Sequence, residues 1–270
     1  MQRVVSAAVL IGALALVLWA APWWATVVLT AIVAAGAGVE LAGLAAAATG
    51  GHVPPTFAGV SAAAATLAFV FSTVRGAPLG VEALGAMLLV IFLASALVTL
   101  AVYPPGPATL TYAAVMGLAP LYLGLPLGAA ACLHAMFGPH PLTWLIAVIA
   151  GSDSAQYYAG RAFGRRKLAP RVSPAKTVEG AIGGFIVAPI AGVLIGRWAM
   201  PELAMGATAV LAAGLTLFGM AGDLFESLLK RSAGAKDSSA LIPGHGGVLD
   251  RIDAYLFAAP VFYLFLRFIA

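Results

Sequence analysis

The chain has 270 residues, of which 62% are hydrophobic and only 9% charged, with a mean hydropathy of +1.03. That balance excludes an ordinary water-soluble domain and places the protein among polytopic membrane proteins. The formal charge is +4, and the single Cys132 excludes both a disulfide framework and a thiolate zinc site.

In chain order, apolar runs at 4–21, 25–48, 56–74, 83–103, 108–138, 141–160, 178–199, 203–222 and 254–270 are mostly long enough to cross a bilayer as helices. The fold expected is therefore all-α, an integral membrane protein of about nine transmembrane helices. The first run follows Met-Gln-Arg and is read as a retained helix rather than a signal peptide, because so many similar runs follow it. Pro120 and Pro126 leave 108–138 open as one broken helix or two short ones. Residues 1–140 are rich in Ala, Leu, Val and Gly and carry only two acids, Glu40 and Glu82. They are expected to be a transmembrane scaffold continuous with a catalytic region at 141–270. Glu82 suits a helix start. Glu40, midway along an apolar run, is costly unless paired or water-lined, and its role stays open.

The polar chemistry begins at Asp153, and charge then concentrates. Residues 161–177 hold Arg161, Arg165, Arg166, Lys167, Arg171 and Lys176 with no acid. Residues 223–253 hold Asp223, Glu226, Asp237, Asp250 and Asp253 among Lys230, Arg231, Lys236 and Arg251. Six and four make ten of the fourteen Lys and Arg, so by the positive-inside rule both segments face the cytoplasm. The runs 178–199 and 203–222 lie between them, and an even number of crossings returns the chain to the same face, where the two segments can build one site.

The residue types indicate the chemistry. Carboxylates suit a hard cation, lysines and arginines suit phosphate, and glycines let backbone approach a ligand. Asp223, Glu226 and Lys230 share a face if the LFESLLKR stretch is helical, and Asp250 and Asp253 are three apart. Ion pairing within the cluster is the bland alternative, but five acids exceed what such pairs require. Pro243-Gly-His245-Gly246-Gly247 permits positive φ and amide contact with an anion, and His245 suits contact with phosphate or a carboxylate better than zinc. Lys176 and Thr177, in SPAKTVEG, fall at the N-terminus of a membrane helix, where phosphate is favoured. No P-loop is present.

The run from Ser227 through Lys230, Arg231, Lys236, Asp237, Pro243, His245, Asp250 and Arg251 to Asp253 resembles the signature of the phosphatidate cytidylyltransferases, or CDP-diacylglycerol synthases. Gly160-Arg161-x2-Gly164 and SPAKTVEGAIGG at 173–184 resemble the same family, in the same order. The resemblance is specific over about 153–257, and Gly-Ser-Asp-Ser-Ala-Gln at 151–156 is its less typical part. It implies cytidylyl transfer from CTP to phosphatidic acid, in a homodimeric enzyme of the inner membrane that depends on Mg²⁺ and leaves room for a second cation such as K⁺. It further implies Asp223 and Asp250 as metal ligands. Ser173, Lys176, Thr177, Lys230, Arg231 and Lys236 would hold phosphates. Asp153, Arg161, Gly246 and Gly247 join the substrate-binding set, and Asp237, His245 and Asp253 the catalytic set. Membrane lipids are expected partners and nucleic acid is not. Transfer to another lipid phosphate is the nearest alternative within enzymes. A cation-coupled transporter is the alternative from another class, and it would scatter charge through both halves rather than gather it.

Overall fold

A computed structural model describes residues 2–51, 53–74, 80–242, 244 and 246–269. His245, one of the expected site residues, and Pro243 lie outside the described residues. The protein is nearly all-α. By its internal contacts it forms two compact units, one of residues 1–136 with 229–252 and the other of 137–228 with 253–270.

The first unit contains α1 (Gln2–Trp19), α2 (Trp23–Thr49), α3 (Pro55–Thr73), α4 (Val81–Val102), α5 (Pro107–Ala119) and α6 (Leu125–Phe137) up to Met136. Prolines open α3 and α5, where the missing N–H would have had no helical partner. Gly50, at φ +66, ends α2 in the left-handed conformation that glycine adopts freely. Small residues let α2 and α3 meet backbone to backbone. A Cβ on Gly38 would run into the Ala58 carbonyl, and one on Gly59 into the Ala35 carbonyl. One face of α4 stays apolar and uncovered, with Phe92, Leu97 and Leu100 each more than half exposed, a surface that suits lipid.

The run around Pro120 and Pro126 is one helical rod. A π-helical turn at Pro120–Gly124 joins α5 to α6. Proline removes an N–H from the ladder, and a wider turn is one way a helix absorbs that loss. Thr66 Oγ1 supports the turn by donating to Gly124 O at 3.1 Å.

The second unit contains α7 (Pro139–Phe163), a hairpin of β1 (Lys167–Ala169) and β2 (Ser173–Thr177), α8 (Val178–Ala199), α9 (Met205–Ser232) to Leu228, and α10 (Leu249–Phe268) from Asp253. Trp144 is fully buried and donates from Nε1 to Gly192 O at 2.8 Å, fastening α7 to α8.

The hairpin departs from an all-α expectation. Pro170 fixes a turn in which Val172 N donates to Ala169 O at 3.1 Å, and the antiparallel register pairs Lys167 with Thr177.

Six helical stretches are long and apolar enough to cross a membrane: α2, α3, α4, the α5–α6 rod, α8 and α9. The other three expected crossings are helices as well, namely α1, α7 and α10, but fall short of that measure among the described residues. In α7 the second half is the polar SDSAQYY stretch, and α10 carries Asp250, Arg251 and Asp253 in its opening turns and Arg267 in its last.

Candidate active site

In the second unit, the hairpin delivers Lys176 and Thr177 to the start of α8. Val178 N donates to Arg166 O at 2.9 Å, and Glu179 accepts from the backbone of Arg165 at 3.0 Å and Arg166 at 3.2 Å. These bonds lock the exit of α7 to the entry of α8. Thr177 caps α8, its Oγ1 accepting from Gly180 N at 3.1 Å. A cavity of about 370 Å³ opens here, lined by Asp153, Arg161, Lys176, Thr177 and Asp223, with Gln156 and Tyr157 beside them. All seven belong to this unit.

Lys176 Nζ lies 2.5 Å from Asp223 Oδ2, and Ser227 Oγ donates to Asp223 Oδ1 at 3.4 Å, one turn along α9. Gln156 Nε2 donates to Asp153 Oδ1 at 3.1 Å. Gly222 packs against the Asp253 carbonyl with no room for a side chain, which places α10 against α9 beside Asp223. Asp253 Oδ1 accepts from Ala254 N at 2.8 Å. Ser173 pairs with Ala169 at the turn end of the hairpin and is not among the cavity-lining residues.

The cavity combines two cationic side chains and a helix N-terminus, which suit phosphate, with two carboxylates, which suit a hard cation. Two carboxylates with substrate oxygens and water are the donor set Mg²⁺ prefers. Asp153 and Asp223 fit that ion in chemical type.

The first unit holds a second cluster, at the end of α9 and the start of α10. Lys230 Nζ lies 2.5 Å from Asp250 Oδ1. Asp250 Oδ2 accepts from Ser238 N at 2.9 Å and from Gly247 N at 2.8 Å, with Ser238 Oγ at 2.9 Å. Burial alone would push the Asp250 carboxyl up. The bonds from Lys230, Gly247 and Ser238, with the lysine's charge, outweigh burial and bring it down to about 2 from an ordinary 3.8.

The loop between the helices closes through Ile242 N donating to Gly246 O at 2.8 Å. Gly246 has φ +78, and a Cβ there would press on the Asp250 carboxylate. Arg231 Nη1 donates to Ala235 O at 3.0 Å, curling the loop back on the helix, while Lys236 and Asp237 are exposed on it. Both oxygens of Asp250 are thus engaged by protein, so ligation of a metal there would exchange one of these contacts.

Glu40 is the residue whose role the sequence left open. It is only 6% exposed, and its carboxylate accepts from Ser239 Oγ at 2.7 Å, Val248 N at 2.9 Å and Leu249 N at 2.8 Å, with Ser238 Oγ at 2.9 Å. Its cost in an apolar helix was the available signal; its donors, some two hundred positions away, had none. Ser238 and Ser239 carried no pattern that singled them out.

Long apolar helices beside a polar cavity define a class, the integral membrane proteins. The chain belongs to the Cytidylyltransferase family, whose sequence profile matches residues 1–269. It is 47% identical to the phosphatidate cytidylyltransferase of Brucella suis over 136 residues, covering 48% of this chain and 47% of that protein. It is 36% identical to the phosphatidate cytidylyltransferase of Bacillus subtilis over 157 residues, covering 55% and 56%. The uncharacterized protein YnbB of Escherichia coli is 46% identical over 127 residues, covering 46% and 42%. The chain spans about half the length of the curated relatives it matches.

Proposed function

We propose that the protein transfers a cytidylyl group from CTP to phosphatidic acid, producing CDP-diacylglycerol and pyrophosphate for phospholipid synthesis. The observation that carries this reading is the cavity of the second unit, where Arg161, Lys176 and the start of α8 face Asp153 and Asp223. Such a site suits a triphosphate, and the family and the named relatives supply the nucleotide and the lipid.

In this reaction a phosphate oxygen of the lipid attacks the α-phosphorus of CTP in line. One P–O bond forms, and the bond to the bridging oxygen of the β-phosphate breaks. The attacking phosphate is already anionic near neutral pH, so no strong base is needed. The difficulty is bringing two polyanions together. Lys176 and Arg161 neutralise and orient phosphate oxygens, and the dipole at the start of α8 adds to their field. Lys230 and Arg231 are proposed to hold phosphates as well, with Ser173, Lys236, Asp237, His245 and Asp253 in supporting parts.

Mg²⁺, when bound, supplies charge stabilisation at the transferring phosphoryl group. Asp223, beside Asp153 in its own unit, and Asp250, by releasing a present contact, are each proposed as metal ligands. A second cation such as K⁺ belongs to the same proposal.

The proposal extends to setting. All nine helical runs would cross the inner membrane, the hairpin and the 233–248 loop would face the cytoplasm by the positive-inside rule, and the protein would work as a homodimer among membrane lipids. The deciding experiment incubates purified protein in detergent with phosphatidic acid, α-labelled CTP and Mg²⁺. Label entering the lipid phase with wild type, and not with Asp223→Asn, is the expected result. No transfer by folded wild type sinks the reading, and transfer only to another lipid phosphate changes the acceptor.

A further inference from the structure

We infer that Glu40 is a positioning residue for the reaction, holding the loop that orients Asp250; the inference rests on the cytidylyl transfer proposed above.

Glu40 is the single charged residue in the 27 residues of α2, and its carboxylate is buried. Such a charge is retained only where its surroundings satisfy it. The satisfaction here is directed at one segment. Ser238 and Ser239 precede Gly246 in the loop, Val248 and Leu249 follow it, and the carboxylate holds both sides. It also caps α10, because Leu249 is that helix's first residue.

The hold passes to Asp250 through shared groups. Ser238 Oγ stands 2.9 Å from Glu40 Oε2 and 2.9 Å from Asp250 Oδ2, so one hydroxyl, with a single proton to give, sits between the two carboxylates. Gly247 lies between them. Its amide donates to Asp250, and a Cβ there would strike Ser238 Oγ and the Glu40 carboxylate. The resemblance to the family assigned Gly247 to substrate binding. Its surroundings give the missing side chain a second use, as room for this clamp.

Chemistry at the clamp requires a carboxylate. Each Glu40 oxygen accepts one backbone N–H and has one serine hydroxyl within hydrogen-bond reach. A glutamine amide, whichever way it turned, would set its NH₂ against the amide of Val248 or of Leu249.

The test uses the full chain in detergent with phosphatidic acid and CTP. It compares wild type with Glu40→Gln, Glu40→Asp and Ser239→Ala, reading kcat, KM for CTP and amide exchange over 238–249. Misplacing a reacting group by about 1 Å costs on the order of 100-fold, so Glu40→Gln is expected to lose that much in kcat. Its KM for CTP should stay within about twofold, because the loss falls on the reaction geometry rather than on ground-state binding. Exchange over 238–249 should rise, and Glu40→Asp should recover part of kcat.

Ser239→Ala removes one donor from Glu40 and none from Asp250, and an intermediate loss in kcat is expected. It decides the matter if Glu40→Gln does not fold. Wild-type kcat in folded Glu40→Gln, or in Ser239→Ala where that is the only folded variant, would overturn the inference. Faster exchange with unchanged kcat would leave Glu40 a purely structural anchor and overturn it too. Absence of transfer by wild type is a different failure: it removes the proposed reaction, and the positioning role with it.

Discussion

Lys176 Nζ and Asp223 Oδ2 stand 2.5 Å apart in the wall of one cavity, one carried in by the hairpin and the other by α9. Either residue alone would have an ordinary reading. The lysine could be a membrane-surface anchor, and the aspartate the polar end of a span. Brought together, they place a cation where a metal-binding carboxylate is expected, and a carboxylate where phosphate is expected. Substrate and metal would separate the pair, each partner taking its own ligand.

Lys176→Ala should therefore impair binding more than folding. Its side chain and that of Asp223 are 20% and 29% exposed, and a pair so placed contributes no more than about 1 kcal/mol. The unfolding midpoint should barely move. KM for CTP should rise about tenfold, equivalent to about 1.4 kcal/mol of lost phosphate binding. Steady-state kinetics beside a thermal melt check both halves.

Asp223→Asn should cut transfer on the order of 100- to 1000-fold at saturating substrate, the scale of losing one preorganised electrostatic group. Chelation by EDTA should abolish wild-type activity, and added Mg²⁺ should restore it. Near-normal turnover of Asp223→Asn at high Mg²⁺ would remove the residue from the site.

Asp250 predicts a pH dependence of stability. Its folded pKa, about 2, lies below the ordinary 3.8, so its contribution is complete above 3.8 and is lost as pH falls through 2. The shift amounts to about 2 kcal/mol. Unfolding free energy of wild type should fall between about pH 4 and pH 2, and Asp250→Asn should lack that component. Equal slopes for the two proteins over that range would contradict the assignment.

Gly246→Ala should cost about 1–2 kcal/mol from the left-handed backbone alone, before its methyl presses on Asp250. Activity should fall further than stability, because the carboxylate is displaced. Gly38→Val should act on the α2–α3 crossing: overpacking there costs about 1–3 kcal/mol, read as a lower unfolding midpoint.

Much of the cavity was legible in advance. Asp153, Arg161, Lys176, Thr177 and Asp223 all line it; the four charged residues stood out because charge is costly beside apolar spans, and Thr177 by its place at a helix N-terminus. Ser173 came from the family resemblance alone; it pairs with Ala169 at the turn end of the hairpin and is not among the cavity-lining residues. The signature around Asp250 was equally plain as a string of residues. Its internal wiring was not, because Ser238 and Gly247 act through a hydroxyl and two backbone amides, and backbone amides have no sequence signal.

Hydropathy alone determined that the protein is a set of membrane-length helices, because every backbone polar group must be satisfied where water is absent. Residue chemistry alone determined that phosphate and a hard cation are the ligands to expect. Tertiary structure decided which charges meet: Lys176 with Asp223, Lys230 with Asp250, and Glu40 with a loop some two hundred residues away. Period and spacing report which residues share one helix face. A bond between distant segments depends on how helices cross, and small residues such as Gly38 and Gly222 set that crossing by what they lack.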